Sequence, residues 1–156
     1  IMFRDVTTVL QDADGFVLAV DEMDKLIGDT DFDVIVAAEA RGFVFGSVLA
    51  YKHKKPIILA RKKGKLPRET VEQSYDLEYG KATVEMNTDA ITKGQKAIVI
   101  DDLIATGGTL EASIKLVEKL GGEVVKVICL MELAGLNGRE RLAAYNVEAV
   151  VTYEGK

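Results

Sequence analysis

The chain has one cysteine, one histidine, two prolines and no tryptophan. A single thiol, Cys129, cannot close an internal disulfide, which excludes an oxidised, disulfide-stapled scaffold and makes a reducing compartment the expectation. His53, inside KHKK, and Cys129, inside an apolar run, have no partners at metal-ligand or nucleophile spacing. His53 reads as a surface residue and Cys129 as a small buried hydrophobe. Long apolar runs are missing too: none approaches the ~18 residues of a membrane span, and no signal-peptide pattern opens the chain, so a cytoplasmic domain without membrane contact is expected. Positive charge is in short supply. Twenty Lys and Arg against 25 Asp and Glu give a net charge of −5, which argues against bulk binding to nucleic acid or to an anionic membrane.

What is present is enough apolar material for a core: 48% of 156 residues, one domain over 1–156. Phe16, Val20, Met23 and Ile27 recur at helical spacing after a cap at Asp12 or Asp14, and Gly28 closes that helix. FDVIVAA (32–38) is a strand-length apolar run, RGFVFGSVLAYKHK (41–54) a helix with Phe45 and Leu49 on one stripe, and PIILA (56–60) the next strand. Strand, helix, strand in that order is a βαβ unit and implies parallel pairing. Residues 61–80 then break every period and read as a long, polar, functional loop. KATVEMN (81–87), AIVIDD (97–102), EVVKVICLMEL (123–133) and EAVVTY (148–153) read as strands, and GTLEASIKLVEKL (108–120) as a helix ended by Gly121-Gly122. No repeats or linkers divide the chain. The expected class is α/β, a mostly parallel sheet flanked by helices.

The stretch AIVIDDLIATGGTL (97–110) carries the chemistry. Ligands of open parallel sheets sit beyond the carboxyl ends of the strands, often at a helix N-terminus. Gly107 and Gly108 let backbone N–H groups approach an anion there, Ala105 completes the turn, and Thr106 and Thr109 add hydroxyl donors. A P-loop would need a lysine after Gly108 and a dinucleotide fingerprint would need G-x-G-x-x-G; both are absent. The turn therefore suits one phosphate monoester. Asp101 and Asp102, acceptor-only when ionised, suit vicinal hydroxyl donors beside it. Together they match a ribose 5-phosphate.

VIDDLIATGGT resembles the phosphoribosyl pyrophosphate signature of type I phosphoribosyltransferases. FRDVT (3–7), EARGF (39–43), RKKGKLP (61–67) and LEYGK (77–81), with LNGRERL (136–142) in support, are similar to the adenine phosphoribosyltransferase family, in its order and across almost the whole chain. The resemblance implies a type I fold with a flexible active-site loop and a small base-binding hood, and a homodimer. It implies that adenine and 5-phosphoribosyl 1-pyrophosphate give AMP and pyrophosphate in purine salvage. Mg²⁺ would be held mainly through the substrate, with no protein metal site. The chain starts at Ile1, whereas the family's pattern leads one to expect roughly one further helix ahead of it.

The same resemblance assigns residues. Glu39, Ala40 and Arg41 would cradle the pyrophosphate, with the Glu39–Ala40 peptide cis, helped by Lys62 and Lys65 and by Arg61, the last across a dimer interface. By charge alone RKKGK is a solvated run. Met2, Phe3 and Arg4 would read adenine, with Phe3 stacked on one face of the base and Leu103 or Ile104 on the other. Relatives that use 6-oxopurines carry an acid at the position of Ala105; its absence makes Glu78, between Tyr75 and Tyr79, the expected proton-handling group, with the two tyrosines capping the closed site. Two rival readings are a 6-oxopurine phosphoribosyltransferase and a non-catalytic regulator that senses phosphoribosyl pyrophosphate. A regulator would add a basic DNA-binding domain, for which this chain has neither room nor charge.

Overall fold

Apolar strands as continuous as these need cover on both faces of their sheet. The computed structural model describes residues 6–154. In chain order the elements are α1 (Thr7–Leu10), α2 (Ala13–Ile27), β1 (Val34–Ala38), α3 (Arg41–His53), β2 (Ile57–Lys62), β3 (Thr70–Leu77), β4 (Gly80–Asn87), β5 (Lys96–Ile104), α4 (Gly108–Lys119), β6 (Glu123–Leu133), a 3-10 turn (Ala134–Leu136), α5 (Gly138–Arg141) and β7 (Val147–Tyr153). They build one seven-stranded sheet in the order β3-β4-β2-β1-β5-β6-β7. The five strands from β2 to β7 in that order pair in parallel, as the βαβ pattern predicts.

Alternation along β1 and β5 divides the core. Val34, Val36, Ala97 and Val99 face α4, where Leu110, Ile114 and Val117 are buried. Ile35, Ile98 and Ile100 face α2 and α3, against Met23, Ile27, Phe45 and Leu49. Burying one such side chain is worth roughly 1.5–3 kcal/mol. An exposed pair such as Lys25–Glu22 is worth about 0–1 kcal/mol, so packing fixes the strand ends. α3 lies hard on β1: a Cβ on Gly46 would stand 2.7 Å from that of Ala37. Asp12, not Asp14, caps α2, its carboxylate accepting from the Gly15 N–H at 3.2 Å.

Two of the sequence expectations change. Residues 70–77, inside the stretch read as loop, form β3, which pairs antiparallel with β4 along its whole length. Val71, Gln73 and Tyr75 turn inward while Glu72, Ser74 and Asp76 face solvent. The alternation is regular, but polar residues on both faces hide it. A buried carboxylate holds the preceding connection in place: Glu85 accepts from Gly64 N–H (2.9 Å) and from Thr70 Oγ1 (3.0 Å). His53 is not a bare surface residue either. Its Nε2 lies 2.5 Å from Asp24 Oδ1 of α2 and its ring stands edge-on to Phe32, just ahead of β1, contacts that only tertiary packing creates. Cys129 is fully buried, and that burial pushes its thiol pKa up, as suits an inert residue.

The strand order also locates a crevice. β1 leads through α3 to β2 on one side, and β5 leads through α4 to β6 on the other. The adjacent carboxyl ends of β1 and β5 are therefore the topological switch point, where connections diverge and leave space.

Candidate active site

A cleft of about 250 Å³ opens at that point. Asp101, Asp102 and Leu103 come to it from β5, Glu39 to Arg41 from the end of β1, and the turn 105–109 from the start of α4. Tyr75 and Leu77 reach in from β3. The acid pair, the glycine turn and the EAR segment, about 60 residues apart in sequence, thus share one cavity, as the motif reading expects.

Asp102 is only 4% exposed and meets the Nε of half-exposed Arg41 at 2.6 Å. Its own N–H donates to Asp101 Oδ1 at 2.7 Å. Burial pushes the Asp101 carboxyl well above its ordinary pKa, and the negative charge of Asp102 adds to the shift; the hydrogen bond from Asp102 N–H and the Arg41 guanidinium pull the other way and lose. Gly42 makes this packing feasible, since a Cβ there would lie 3.0 Å from Ile100 O and 3.1 Å from Asp101 Oδ1. The floor of the cleft is a concentrated acceptor surface with one cation at its edge.

The turn is shaped as an anion site. Gly107, at φ +88°, takes a left-handed conformation that lets α4 start with three residues between it and β5, so the first residues of α4, whose N–H groups have no partner within the helix, line the cleft. Tyr75 sits over Gly108, where a Cβ would come within 2.7 Å of its ring, and its hydroxyl is 2.9 Å from Thr109 Oγ1. Ser113 Oγ donates to Thr109 O at 2.8 Å and steadies the first turn.

Behind the turn stands a buttress that motif reading alone does not reveal. A Cβ on Gly138 would be 2.5 Å from Ala105 O, so α5 rests directly on the turn. α5 is fixed in place by Arg139, whose Nε donates to both oxygens of buried Glu132 at 2.8 Å and whose Nη1 reaches Val147 O at 2.5 Å. A charged residue inside the apolar stretch 127–133, Glu132, is the sequence signal of this arrangement.

The remaining candidates are dispersed. The Glu39–Ala40 peptide is cis. Burial would raise the pKa of Glu39, but the Lys62 N–H (2.9 Å) and Arg61 Nε (3.0 Å) outweigh it and hold the carboxyl below its ordinary value. Arg61 also lies over the Phe43 ring, 5.8 Å from its centroid. Lys62 and Lys65 are exposed near the end of β2 and do not line the cleft. Glu78 and Tyr79 form the two-residue tip of the β3–β4 hairpin; both are exposed, Tyr79 at 93%, and neither lines the cleft. Leu103 lines the cleft, whereas Ile104 is buried in the core, which separates the two base-stacking candidates. Met2, Phe3 and Arg4 lie outside the described residues.

No group of three or more His, Cys, Asp or Glu among the described residues could hold a metal ion. The two carboxylates that line the cleft, Asp101 and Asp102, are of the kind that fits Mg²⁺, which usually keeps several waters and is held through one or two carboxylates plus substrate phosphates.

Comparison with known proteins agrees with this geometry. The family model described as a phosphoribosyl transferase domain matches residues 9–152. The adenine phosphoribosyltransferase of Agathobacter rectalis is 62% identical over 156 residues, all of this chain and 90% of that protein. The crystal structure of adenine phosphoribosyltransferase from Thermoanaerobacter pseudethanolicus superimposes with a TM-score of 0.95 at 45% identity, covering 98% of this chain and 89% of that one. A Saccharomyces cerevisiae adenine phosphoribosyltransferase, solved with adenine and an imino-altritol bisphosphate, gives a TM-score of 0.90 at 34% identity, covering 96% and 87%.

Proposed function

The chain belongs to the adenine phosphoribosyltransferases of the phosphoribosyl transferase family, and on that premise we propose a division of labour in its cleft. The protein transfers the 5-phosphoribosyl group of 5-phosphoribosyl 1-pyrophosphate to N9 of adenine, releasing AMP and pyrophosphate in purine salvage. In our assignment turn 105–109 holds the 5-phosphate, Asp101 and Asp102 accept from the ribose hydroxyls, and Arg41 faces the pyrophosphate. The observation that carries it is the shared cleft, in which an acceptor floor lies between a helix-start anion site and a half-exposed arginine.

The chemistry follows from charge. As the C1–O bond to pyrophosphate lengthens, its electron pair leaves with the pyrophosphate and the ribose gains oxocarbenium character. N9 of adenine then closes the new bond from the opposite face. Asp101 and Asp102, already desolvated, stabilise the positive charge on the ribose with little reorganisation. Arg41, leaving Asp102 for the pyrophosphate, stabilises negative charge on the departing group, with Lys62, Lys65 and Arg61 as further cations and the Glu39–Ala40 backbone shaping the cradle. Mg²⁺, bound with the substrate, supplies additional charge neutralisation there. Adenine lies between Phe3 and Leu103, with Met2 and Arg4 reading its edge. Glu78 reaches N7 of the base when the hairpin closes, and Tyr75 and Tyr79 exclude water. A homodimer in the cytoplasm completes the proposal.

Separate titrations with ribose 5-phosphate and with pyrophosphate test these roles. Thr109→Val should weaken ribose 5-phosphate and spare pyrophosphate; Arg41→Gln should do the reverse. If both variants weaken both ligands alike, the division of the cleft is wrong.

A further inference from the structure

The phosphate end of the cleft has an unfavourable neighbour. Glu111 lies in the first turn of α4, the same helix start that faces a phosphate monoester of nearly two negative charges. The turn itself, Ala-Thr-Gly-Gly-Thr, has no charge to offset it. One cation, Arg141, lies close to both the turn and Glu111, at the outer side of the turn rather than among the residues that line the cleft. Arg141 places its Nη1 2.9 Å from where a Cβ of Gly108 would be, and its Cβ lies 3.6 Å from the corresponding point on Gly107. Its Nε is 3.7 Å from Glu111 Oε1, too long for a hydrogen bond, with both side chains about one-third exposed. Among the described residues its guanidinium makes no hydrogen bond, so its donors are uncommitted.

The backbone beneath Arg141 is held firmly. Leu142, next in sequence, is fully buried, Gly138 rests on Ala105 O, and Arg139 is clamped by Glu132 and Val147 O. That much anchoring for a four-residue helix fixes Arg141 relative to the phosphate turn.

We propose that Arg141 is a binding residue for the 5-phosphate of the substrate, supplying the positive charge that the turn lacks and offsetting Glu111. This rests on the reading that turn 105–109 holds that phosphate. A guanidinium donates to phosphate oxygens in a planar fork, and its weak, stretched contact with Glu111 costs little to give up.

The experiment compares Arg141→Gln, Arg141→Lys, Glu111→Gln and Thr109→Val in the full chain, measuring inhibition by ribose 5-phosphate and by pyrophosphate and the KM of each substrate. Arg141→Gln should raise both the KM for phosphoribosyl pyrophosphate and the inhibition constant of ribose 5-phosphate about tenfold, the scale of one charge-assisted hydrogen bond. Pyrophosphate inhibition and the KM for adenine should stay within about twofold of the parent, against that tenfold effect. Arg141→Lys should recover most of the loss, and Glu111→Gln should tighten ribose 5-phosphate, a change of opposite sign that a merely structural role would not give. If Thr109→Val weakens ribose 5-phosphate while Arg141→Gln leaves it unchanged, the role of Arg141 is refuted and the phosphate turn stands. If neither variant affects ribose 5-phosphate, the turn assignment falls and this inference with it.

Discussion

The Tyr75 hydroxyl lies 2.9 Å from the Thr109 hydroxyl, joining the hairpin to the proposed phosphate turn through one hydrogen bond. Two hydroxyls bonded to each other use one proton and leave one. A phosphate monoester at neutral pH is chiefly an acceptor, so the remaining O–H has a natural target. Tyr75→Phe keeps the ring over Gly108 but removes half of the pair. It should raise the KM for phosphoribosyl pyrophosphate about three- to tenfold, the range of one neutral hydrogen bond, and leave the KM for adenine alone. Steady-state kinetics with each substrate varied in turn decides it; an unchanged KM for phosphoribosyl pyrophosphate would show that the pair is incidental.

The buried acids make a prediction in which stability and turnover move in opposite directions. Asp101 keeps its proton to a higher pH in the folded chain than in the unfolded one, because burial and Asp102 oppose its ionisation. Between the ordinary carboxylate range and that raised value the folded state binds more protons, so stability falls as pH rises through the window and the full cost persists above it. Asparagine has nothing to ionise and still offers an acceptor to the Asp102 N–H. Asp101→Asn should therefore melt a few degrees higher than the parent at pH 8, with a smaller gain at pH 5. Its turnover should fall by on the order of 2–4 kcal/mol of transition-state stabilisation. Asp102→Asn should lose turnover as well, but it breaks the 2.6 Å pair with Arg41 and gains no stability. Thermal melts at both pH values alongside kcat check this, and near-parental kcat in both variants would remove the acids from the mechanism.

Much of this was legible in the sequence because local chemistry encodes it. The continuous apolar runs at 34–38, 97–100 and 127–131 allow little but a doubly covered parallel sheet, and DD followed by ATGGT puts an acceptor pair and a glycine turn within nine residues. What stayed hidden depends on tertiary partners. β3 has polar residues on both faces and is a strand because β4 pairs with it. The Glu132–Arg139 clamp spans two elements whose meeting no periodicity announces, and His53 finds Asp24, 29 positions earlier in the chain, only once the chain between them has folded.

Glu78 is the assignment with most at stake, since it sits at an exposed hairpin tip outside the cleft. Leu77, its neighbour, does line the cleft, and the role proposed for Glu78 requires the tip to close over a bound base. Closure over the base would shut water out from around the acid. Glu78→Gln and Glu78→Ala should lower kcat by about 10²–10⁴ while phosphoribosyl pyrophosphate still binds. Glu72, which pairs with Lys63 at 3.1 Å, and Glu69 belong to the same region and serve as controls. Glu72→Gln and Glu69→Gln should be mild. Equal effects from all three positions would make the hairpin a cover with no proton to give.

Base choice tests the account as a whole. Adenine presents an amino donor at position 6 and an acceptor at N1, whereas hypoxanthine and guanine present the reverse pair. A site built on the backbone C=O of Met2 and N–H of Arg4 would leave both groups mismatched with a 6-oxopurine, and mismatched buried polar groups can discriminate by about 10⁴ or more. The direct measurement is kcat/KM for adenine, hypoxanthine and guanine, each with Mg²⁺ and phosphoribosyl pyrophosphate, following nucleotide and pyrophosphate together. The account predicts AMP and pyrophosphate in equal amounts from adenine, and rates for the two 6-oxopurines lower by about that same 10⁴. Comparable kcat/KM for guanine and adenine, or no nucleotide from adenine at all, would contradict it.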